Sequence, residues 1–352
     1  MAVTIKDVAK LADVAPSTVS RVIANNPRIS DKTKKRVREA MEQLGYHPNF
    51  IARSLANQST KVIGLVLPPS SGAFFQNPFF AEVMHGLSDG VHEKHYALQM
   101  TTGTTEEELF DGVVQMVQGG RVDGIILLYS RVNDEILSYL RTRHFPFVMI
   151  GKPFEHVEKI THVDNDNFLA AKEATEYLIG LGHKHIGFIG GSPSLTVTLD
   201  RLQGYKNALR EENLPLLEDY IIHSEYFLRE GGQQAVNKLF SASVSPTALI
   251  VTDDLMALGV VNTLTEMAID IPNQVSIISF NNALFAEMSR PPLTSININI
   301  VELGYQAARS LIQILENENE PVKRIIIPHQ LVVRNSCAIS QKAIIKDSTS
   351  LS

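Results

Sequence analysis

The sequence predicts an α/β protein: a small helical head followed by a two-lobed core of doubly wound parallel sheets. Three observations lead there. The stretch Thr4–Leu55 carries three short helical patterns and a fourth, polar segment with one narrow apolar stripe. From Lys61 the pattern changes to short apolar runs alternating with helical segments, in two series, which calls for two α/β lobes. The charge divides at the same boundary. Residues 1–61 hold 11 Lys and Arg against 5 Asp and Glu, a balance of +6, while the rest of the 352-residue chain carries −12.

In the first helical pattern Ile5, Val8, Ala9 and Ala12 fall at i, i+3, i+4 and i+7, one buried face. The second runs from Pro16 to about Ile23, with proline at a first position that needs no intrahelical N–H. Val19, Val22 and Ile23 share one face and Ser17, Ser20 and Arg21 the other. Small donors and one guanidinium on an exposed face suit a helix lying in a DNA major groove, where arginine bonds guanine bidentately. The third pattern opens on Ser30 as N-cap, with Asp31 in its first turn. It repeats Val37, Ala40, Met41 and Leu44 and stops at Gly45. Its outer face carries Lys32, Lys34, Lys35, Arg36 and Arg38. The plain alternative, a three-helix bundle with a solvated basic face, does not account for the polar front of the second helix. After His47-Pro48, residues 49–57 place Ala52, Leu55 and Ala56 on one stripe, a helix too short to hold alone in water.

In the core, 62–67, 97–100, 124–128 and 147–150 read as buried parallel strands, with helices near 79–95, 106–119 and 133–142. A second series has strands at 185–190, 220–223, 248–252 and 275–280 and helices near 166–180, 199–213, 229–240 and 253–268. Segments 293–298 and 324–333 complete the lobes or cross between them. The tail after Val333 lacks the leucine heptads of a tetramerising coiled coil, so a homodimer is expected.

A basic head on an acidic body points to a polyanionic partner for the head alone. The single cysteine, Cys337, excludes an intrachain disulfide and a cysteine metal cluster. No secretory signal and no membrane-length apolar run is read, so a cytoplasmic location with no membrane partner is expected. Enzyme readings find no phosphate-binding glycine loop and no nucleophile elbow. His92 and His95 stand at i, i+3 on a surface helix, the wrong spacing for a zinc helix, and His183-Lys184-His185 at a strand start reads as structural. No catalytic residues, metal or cofactor are expected.

TIKDVAKLADVAPSTVSRVI, ISDKTKKRV and LGYHPNFIARSLA, three blocks in order, resemble the headpiece and hinge of the LacI/GalR family of transcriptional regulators. Ala15 departs from the family pattern, which has serine there to cap the recognition helix. The resemblance implies an N-terminal helix-turn-helix headpiece plus a two-lobed, periplasmic-binding-protein-like core with doubly wound parallel sheets. Expected bounds are 1–48 for the headpiece, 49–60 for hinge helix and linker, 61–340 for the effector-binding and dimerisation core, and 341–352 for a polar tail. It further implies that Ser17 and Arg21 read operator half-sites, that Pro16 shapes the start of the helix, and that Thr18 and Ser20 hold phosphates. Thr4 and Asn25 complete the contacts, and paired hinge helices insert Leu55 into the minor groove as a wedge.

For the cleft between lobes, the resemblance places Phe79 and Phe80 at ligand-facing positions, where rings can stack on a pyranose or simply pack into the lobe. Ser130 can donate to a ligand hydroxyl. Asp166 matches an acidic family position, as ligand acceptor or helix cap. Arg201, in LDRLQGY, matches the family's R-L-x-G-[FYW] block, with Asp200 orienting it. Tyr226 falls at an aromatic platform and Asp253 at a polar ligand position, with Asp254 as helix cap. Asn281 stands where many members have aspartate; an amide both donates and accepts, which suits a neutral sugar. The SFNN…PPLTSI block is most similar to the maltose-operon repressor branch. The implied role is a repressor of carbohydrate-utilisation genes that binds double-stranded operator DNA under control of maltose or a short maltodextrin. A different sugar, or a phosphoprotein corepressor, is the alternative within the class. A sugar-binding protein without a DNA role would leave the basic head unexplained.

Overall fold

The computed structural model describes residues 3–24, 26–46, 59–68, 73–101, 103–241, 245–317 and 319–341. Asn25, the expected hinge helix with Leu55, and the tail from 342 lie outside the described residues. The chain divides into two compact units, 1–62 with 115–123, and 63–114 with 124–352.

The head has helices α1 (Ile5–Leu11), α2 (Pro16–Ile23) and α3 (Asp31–Leu44). Val8, Ala9, Ala12, Val19, Val22, Val37 and Ala40 form its core, the residues that helical spacing selects. Thr4 caps α1, and the Asp7 carboxylate accepts from the Thr4 backbone N–H at 2.8 Å and from its hydroxyl at 2.7 Å. Ser30 Oγ accepts from Thr33 N at 3.3 Å, and Gly45 ends α3 at φ 60°. Asp123, in the same unit, accepts from Ser59 Oγ, Thr60 N, Thr60 Oγ1 and Lys61 N, which pins the segment leading into the first strand.

Ala15 stands at the N-cap of α2, and its side chain makes no capping hydrogen bond. Ala15→Ser therefore adds a missing acceptor for the first-turn amides and is expected to stabilise α2 by about 1 kcal/mol. Slower hydrogen exchange at Ser17 and Thr18 in the intact variant is the readout; unchanged exchange would mean that the new hydroxyl does not reach the helix.

The first lobe is formed by β1 (Val62–Val66), α4 (Ala73–Gln76), α5 (Pro78–His92), β2 (Ala97–Thr101), α6 (Glu106–Gln118), β3 (Gly124–Leu127), α7 (Glu135–Thr142), β4 (Phe147–Ile150) and β5 (His162–Asp164). The second takes α8 (Asn167–Gly180), β6 (Ile186–Gly190), α9 (Thr196–Glu211), β7 (Ile221–His223), α10 (Arg229–Leu239), β8 (Ala248–Val251), α11 (Asp254–Glu266), β9 (Ser276–Asn281), α12 (Leu284–Met288) and β10 (Thr294–Asn297). Helix α13 (Ile300–Glu316) and β11 (Arg324–Ile326) return to the first lobe, and β12 (Gln330–Val332) to the second. The sheets run β11-β5-β4-β3-β1-β2 and β12-β10-β9-β8-β6-β7. Registers such as Leu65 opposite Ile126 and Phe188 opposite Ile250 are parallel, and the pairing of β10 with β12 is antiparallel. Strands such as β1, β3, β6 and β8 are buried along their whole length, as helices on both faces of a sheet require.

The chain crosses between lobes three times, after β5, after β10 and after β11. One side chain joins the three crossings. Asn165 lies in the first, and its Nδ2 donates to Ile298 O at 3.0 Å in the second and to Ile327 O at 2.8 Å in the third. Helix α13, which the sequence reading left out, buries Ile300, Leu303, Gly304, Ala307, Ala308, Leu311 and Ile312 and packs along α5. Two glycines, Gly86 and Gly304, face the partner backbone at that contact.

Candidate effector cleft and nucleic-acid interface

The cleft lies where the strands of both lobes end and their helices begin, the usual ligand position in open α/β sheets. Its inner chamber, about 140 Å³, is lined by residues following β1, β3, β4, β5 and β8 and by the starts of α5 and α9. Phe79, Phe80 and Phe227 supply much of the apolar wall; Phe79 and Phe80 meet edge to face at 5.2 Å between centroids. These two phenylalanines open α5 against the lobe core and line the chamber.

Arg201, in the second turn of α9, is 4 % exposed. Its Nε donates to Asn167 Oδ1 at 2.9 Å, its Nη1 donates to Thr252 O at 2.7 Å, and the guanidinium lies 4.3 Å from the centre of the Phe280 ring. Nη2 makes no hydrogen bond among the described residues and is left for the chamber. Burial pulls the Arg201 pKa down to about 10, and the carboxyls of Asp164, Asp253 and Asp254 act in the opposite direction. The side chain is therefore charged at neutral pH.

Asp253 follows β8 and caps α11, its Oδ1 accepting from Leu255 N at 2.8 Å and Met256 N at 3.1 Å. Its Oδ2 accepts from Asn77 Nδ2 at 2.9 Å and Asn281 Nδ2 at 2.8 Å. With four donors already satisfied, Asp253 holds the two amides in place more than it offers itself. Asn281 Oδ1 makes no hydrogen bond among the described residues and is a free acceptor on the chamber wall. Ser130 is buried, lines the chamber and donates to Lys152 O at 2.6 Å; the lone pairs of its oxygen remain.

Three expectations are corrected. Asp166 is exposed, accepts from Leu169 N at 2.8 Å as the cap of α8, and is absent from the chamber wall. Its neighbours Asp164, Asn165 and Asn167 line the chamber instead. Asp254 is not the helix cap; that position belongs to Asp253. Asp254 is buried and accepts from Ser279 Oγ at 2.5 Å, Ser295 Oγ at 2.9 Å and Ala283 N at 2.7 Å. Asp200 does not orient Arg201 but pairs with Lys152 at 2.7 Å. Tyr226 stands outside the inner chamber, on the wall of a second one.

Sequence reasoning missed Asn77. Its Oδ1 accepts from Phe79 N at 3.0 Å, and its Nδ2 reaches the other lobe at Asp253 and at Phe227 O, 3.1 Å away. An asparagine just before Pro78 is a readable cap signal, but its cross-lobe bonds have no local signature.

Burial raises the carboxyl of Asp254 to about 7 and that of Asp164 to about 6, the latter with a contribution from the charge of Asp200. The folded state thus keeps the Asp254 proton where the unfolded chain has released it, from about pH 4. Stability from this group is full below that pH and is lost as pH rises towards 7. Asp254→Asn should flatten the decline in unfolding free energy over that interval, leaving the part below pH 6 that belongs to Asp164. Urea unfolding at a series of pH values is the measurement, and parallel profiles for the two proteins would refute the assignment.

The outer chamber, about 330 Å³, shares Pro68, Asn77, Phe80, Tyr129, Leu195 and Phe227 with the inner one. It adds Thr104, Thr105, Glu106, Arg131, Ser192, Ser194, Glu225, Tyr226 and Leu228. Arg131 pairs with Glu106 through Nη1 and stands 3.6 Å from Asp134 Oδ2. The described residues contain no group of three or more His, Cys, Asp and Glu placed to hold a metal, and none of their helices is long and apolar enough to cross a membrane.

In the head, Pro16, Ser17, Ser20 and Arg21 form an exposed face on α2, with Thr18 partly covered beside them. The opposite face is buried through Val19 and Val22. On α3, Lys32, Lys35 and Arg38 are exposed, and Arg36 Nη2 donates to Asp13 O at 3.3 Å in the turn before α2. The face is a short polar helix flanked by cations, and Thr4 is committed to its own helix cap.

Residues 4–49 match the profile of bacterial regulatory proteins of the lacI family, and residues 175–337 match a periplasmic binding protein-like domain. The HTH-type transcriptional regulator MalR of Streptococcus pneumoniae is 44 % identical over 339 residues, covering 94 % of this chain and 99 % of that protein. The chain belongs to the lacI family of bacterial regulatory proteins. This lacI-family regulator is also similar to a putative LacI regulator from Bacillus cereus subsp. cytotoxis, with TM-score 0.78 and 51 % identity over 80 % of this chain and 99 % of that one. A structure of the transcriptional regulator CelR in complex with cellobiose matches with TM-score 0.75 and 28 % identity over 95 % of this chain and all of that one. The family and fold expected from the headpiece blocks are borne out. The regulator is a DNA-binding transcription factor with the two-lobed core of its relatives.

Proposed function

We propose that this regulator represses carbohydrate-utilisation genes and that a small neutral sugar in the interlobe cleft, maltose or a short maltodextrin, sets its operator affinity. The observation that carries the reading is the Arg201 guanidinium, buried between the lobes with Nη2 uncommitted in a chamber walled by phenylalanines. A pyranose offers apolar faces to such rings and hydroxyls to such a donor. The charges of Asp164, Asp253 and Asp254 already act on the guanidinium, which disfavours an anionic ligand. A structure of a probable maltose operon transcriptional repressor malR from Staphylococcus areus, 33 % identical over 79 % of this chain and 98 % of that one with TM-score 0.72, supports the choice of sugar. The role is regulatory rather than catalytic and is exercised in the cytoplasm, where the DNA is.

The working molecule is a homodimer whose headpieces, residues 1–48, place Ser17 and Arg21 on half-sites of a pseudo-palindrome. Thr18, Ser20 and the nearby lysines hold phosphates, and segments 49–60 meet at the centre. Leu284 and Met288 on α12, each 62 % exposed, are apolar surface available to a second subunit. Sugar alters the lobe arrangement and releases the DNA by no more than its differential affinity for the two states. The test is fluorescence anisotropy of a labelled duplex from the promoter upstream of the protein's own gene cluster, at fixed salt, with and without maltose. Tight binding released by maltose is expected. Binding that no sugar alters would move control to a protein corepressor, and no binding would remove the operator reading at this site. Leu55→Ala is expected to weaken operator binding by about 2–3 kcal/mol with the headpiece still folded, the cost of losing an intercalating wedge; unchanged affinity would eliminate the wedge.

A further inference from the structure

The cleft continues past the inner chamber. The two chambers share Phe80, Tyr129, Leu195 and Phe227 among their lining residues, so they adjoin at that wall. At about 140 Å³ the inner chamber is smaller than the 300–1,000 Å³ of ordinary ligand clefts; with the outer chamber the cleft falls within that range.

The walls differ in chemistry. The outer chamber adds the hydroxyls of Thr104, Thr105, Ser192 and Ser194, the carboxylates of Glu106 and Glu225, and the guanidinium of Arg131. This alternation of donors and acceptors suits a polyhydroxylated unit better than an apolar one. Two glutamates against one arginine also disfavour a phosphorylated ligand.

Arg131 is held as a reading group is held. Its side chain is only 14 % exposed, it pairs with Glu106 on one side and with Asp134 on the other, and its guanidinium lies 5.9 Å from the Tyr129 ring centre. Nη2 makes no hydrogen bond among the described residues. The backbone around it is shared between lobes: Val132 N donates to Ser194 O at 2.9 Å, and Thr196 N donates to Ser130 O at 3.1 Å. A contact made at Arg131 therefore bears on the seam between lobes.

We propose that the outer chamber is a second sugar subsite read by Arg131, so that the effector is an unphosphorylated disaccharide or longer oligosaccharide with one ring in each chamber. The proposal rests on the sugar reading of the inner chamber. Arg131 and Tyr226 select for chain length, and Arg201 serves the ring in the inner chamber.

Isothermal titration of the full-length protein with glucose, maltose and cellobiose tests this. At least one disaccharide is expected to bind tenfold or more tighter than glucose. Arg131→Ala should remove most of that advantage, lowering disaccharide affinity by a larger factor than glucose affinity. Because that variant leaves Asp134 buried without its cation, Tyr226→Ala, on an exposed side chain, provides the second reading and should narrow the same ratio. Glucose binding as tightly as both disaccharides, or variants that weaken glucose and disaccharide equally, would overturn the second subsite while leaving the sugar reading intact. Failure of all three sugars to bind would overturn the sugar reading, and this proposal with it.

Discussion

Arg201→Ala is expected to abolish the response of operator binding to maltose and to lower the unfolding free energy by about 3–5 kcal/mol, the usual cost of removing one partner from a buried charge cluster. The two effects have separate origins. Nη2 is the donor offered to the chamber, and its loss removes the ligand contact. Nε and Nη1 tie α9 to Asn167 and to Thr252 O, and the guanidinium is the cation among Asp164, Asp253 and Asp254. Without it those carboxyls lose their compensation, and their pKa values rise further. Arg201→Lys separates the two roles. An ammonium keeps the charge but loses the planar fork, so it should recover part of the stability and little of the sugar response. Operator affinity without sugar should match the native protein in both variants. A variant that still releases DNA at the native sugar concentration would make Arg201 purely structural.

The head was legible because its signals are local. Pro16 at a first helical position, Ser30 as a cap, Gly45 as a stop and the buried valines lie within a few residues of what they control. Eight strands, β1 to β4 and β6 to β9, were legible as apolar runs; β5, His162–Asp164, pairs one valine with a histidine and an aspartate and carries no such signal. Helix α13 carries a local signal, with Ile300, Leu303, Ala307, Leu311 and Ile312 at helical spacing, in the stretch left unassigned between the segments 293–298 and 324–333. The errors in the cleft are of another kind. Asp253 and Asp254 are adjacent acids at a strand–helix junction, and which one caps depends on the backbone of one residue. Asp253 has the extended φ and ψ of a cap, −162° and 142°, while Asp254 already lies inside the helix. At Asp166 the choice between ligand and cap was likewise decided by one step in the chain, with Asp164 and Asn167 on the inner wall and Asp166 outside. Asn77 could not be placed at all, since its partner Asp253 is 176 residues away and no periodicity records that distance.

Gly86→Ala is expected to destabilise the first lobe by about 3 kcal/mol, the upper part of the range for overpacking a tight interface, although alanine is the better helix former. Gly86 and Gly304 let α5 and α13 approach until their backbones nearly touch. A Cβ on Gly86 would stand 1.8 Å from Val301 O and 2.8 Å from Tyr305 N, and one on Gly304 would stand 2.3 Å from Val83 O. These neighbours are main-chain atoms, so relief requires the helices to separate. Separation would reach the cleft from two directions. α5 begins at Asn77, Phe79 and Phe80, and its cap is bonded to Asp253 in the other lobe. α13 begins just after Ile298, which Asn165 joins to the other crossings. Sugar affinity should therefore fall in Gly86→Ala although no cleft residue has changed. Gly180→Ala is the control, at the end of α8 where a new Cβ meets nothing within 4 Å, and it should be neutral or slightly stabilising. Urea midpoints and maltose titrations on the three proteins decide the matter. If Gly86→Ala unfolds within 1 kcal/mol of the native protein, the two helices slide apart cheaply. If it is destabilised but binds maltose normally, the packing of α5 on α13 supports the lobe without setting the cleft.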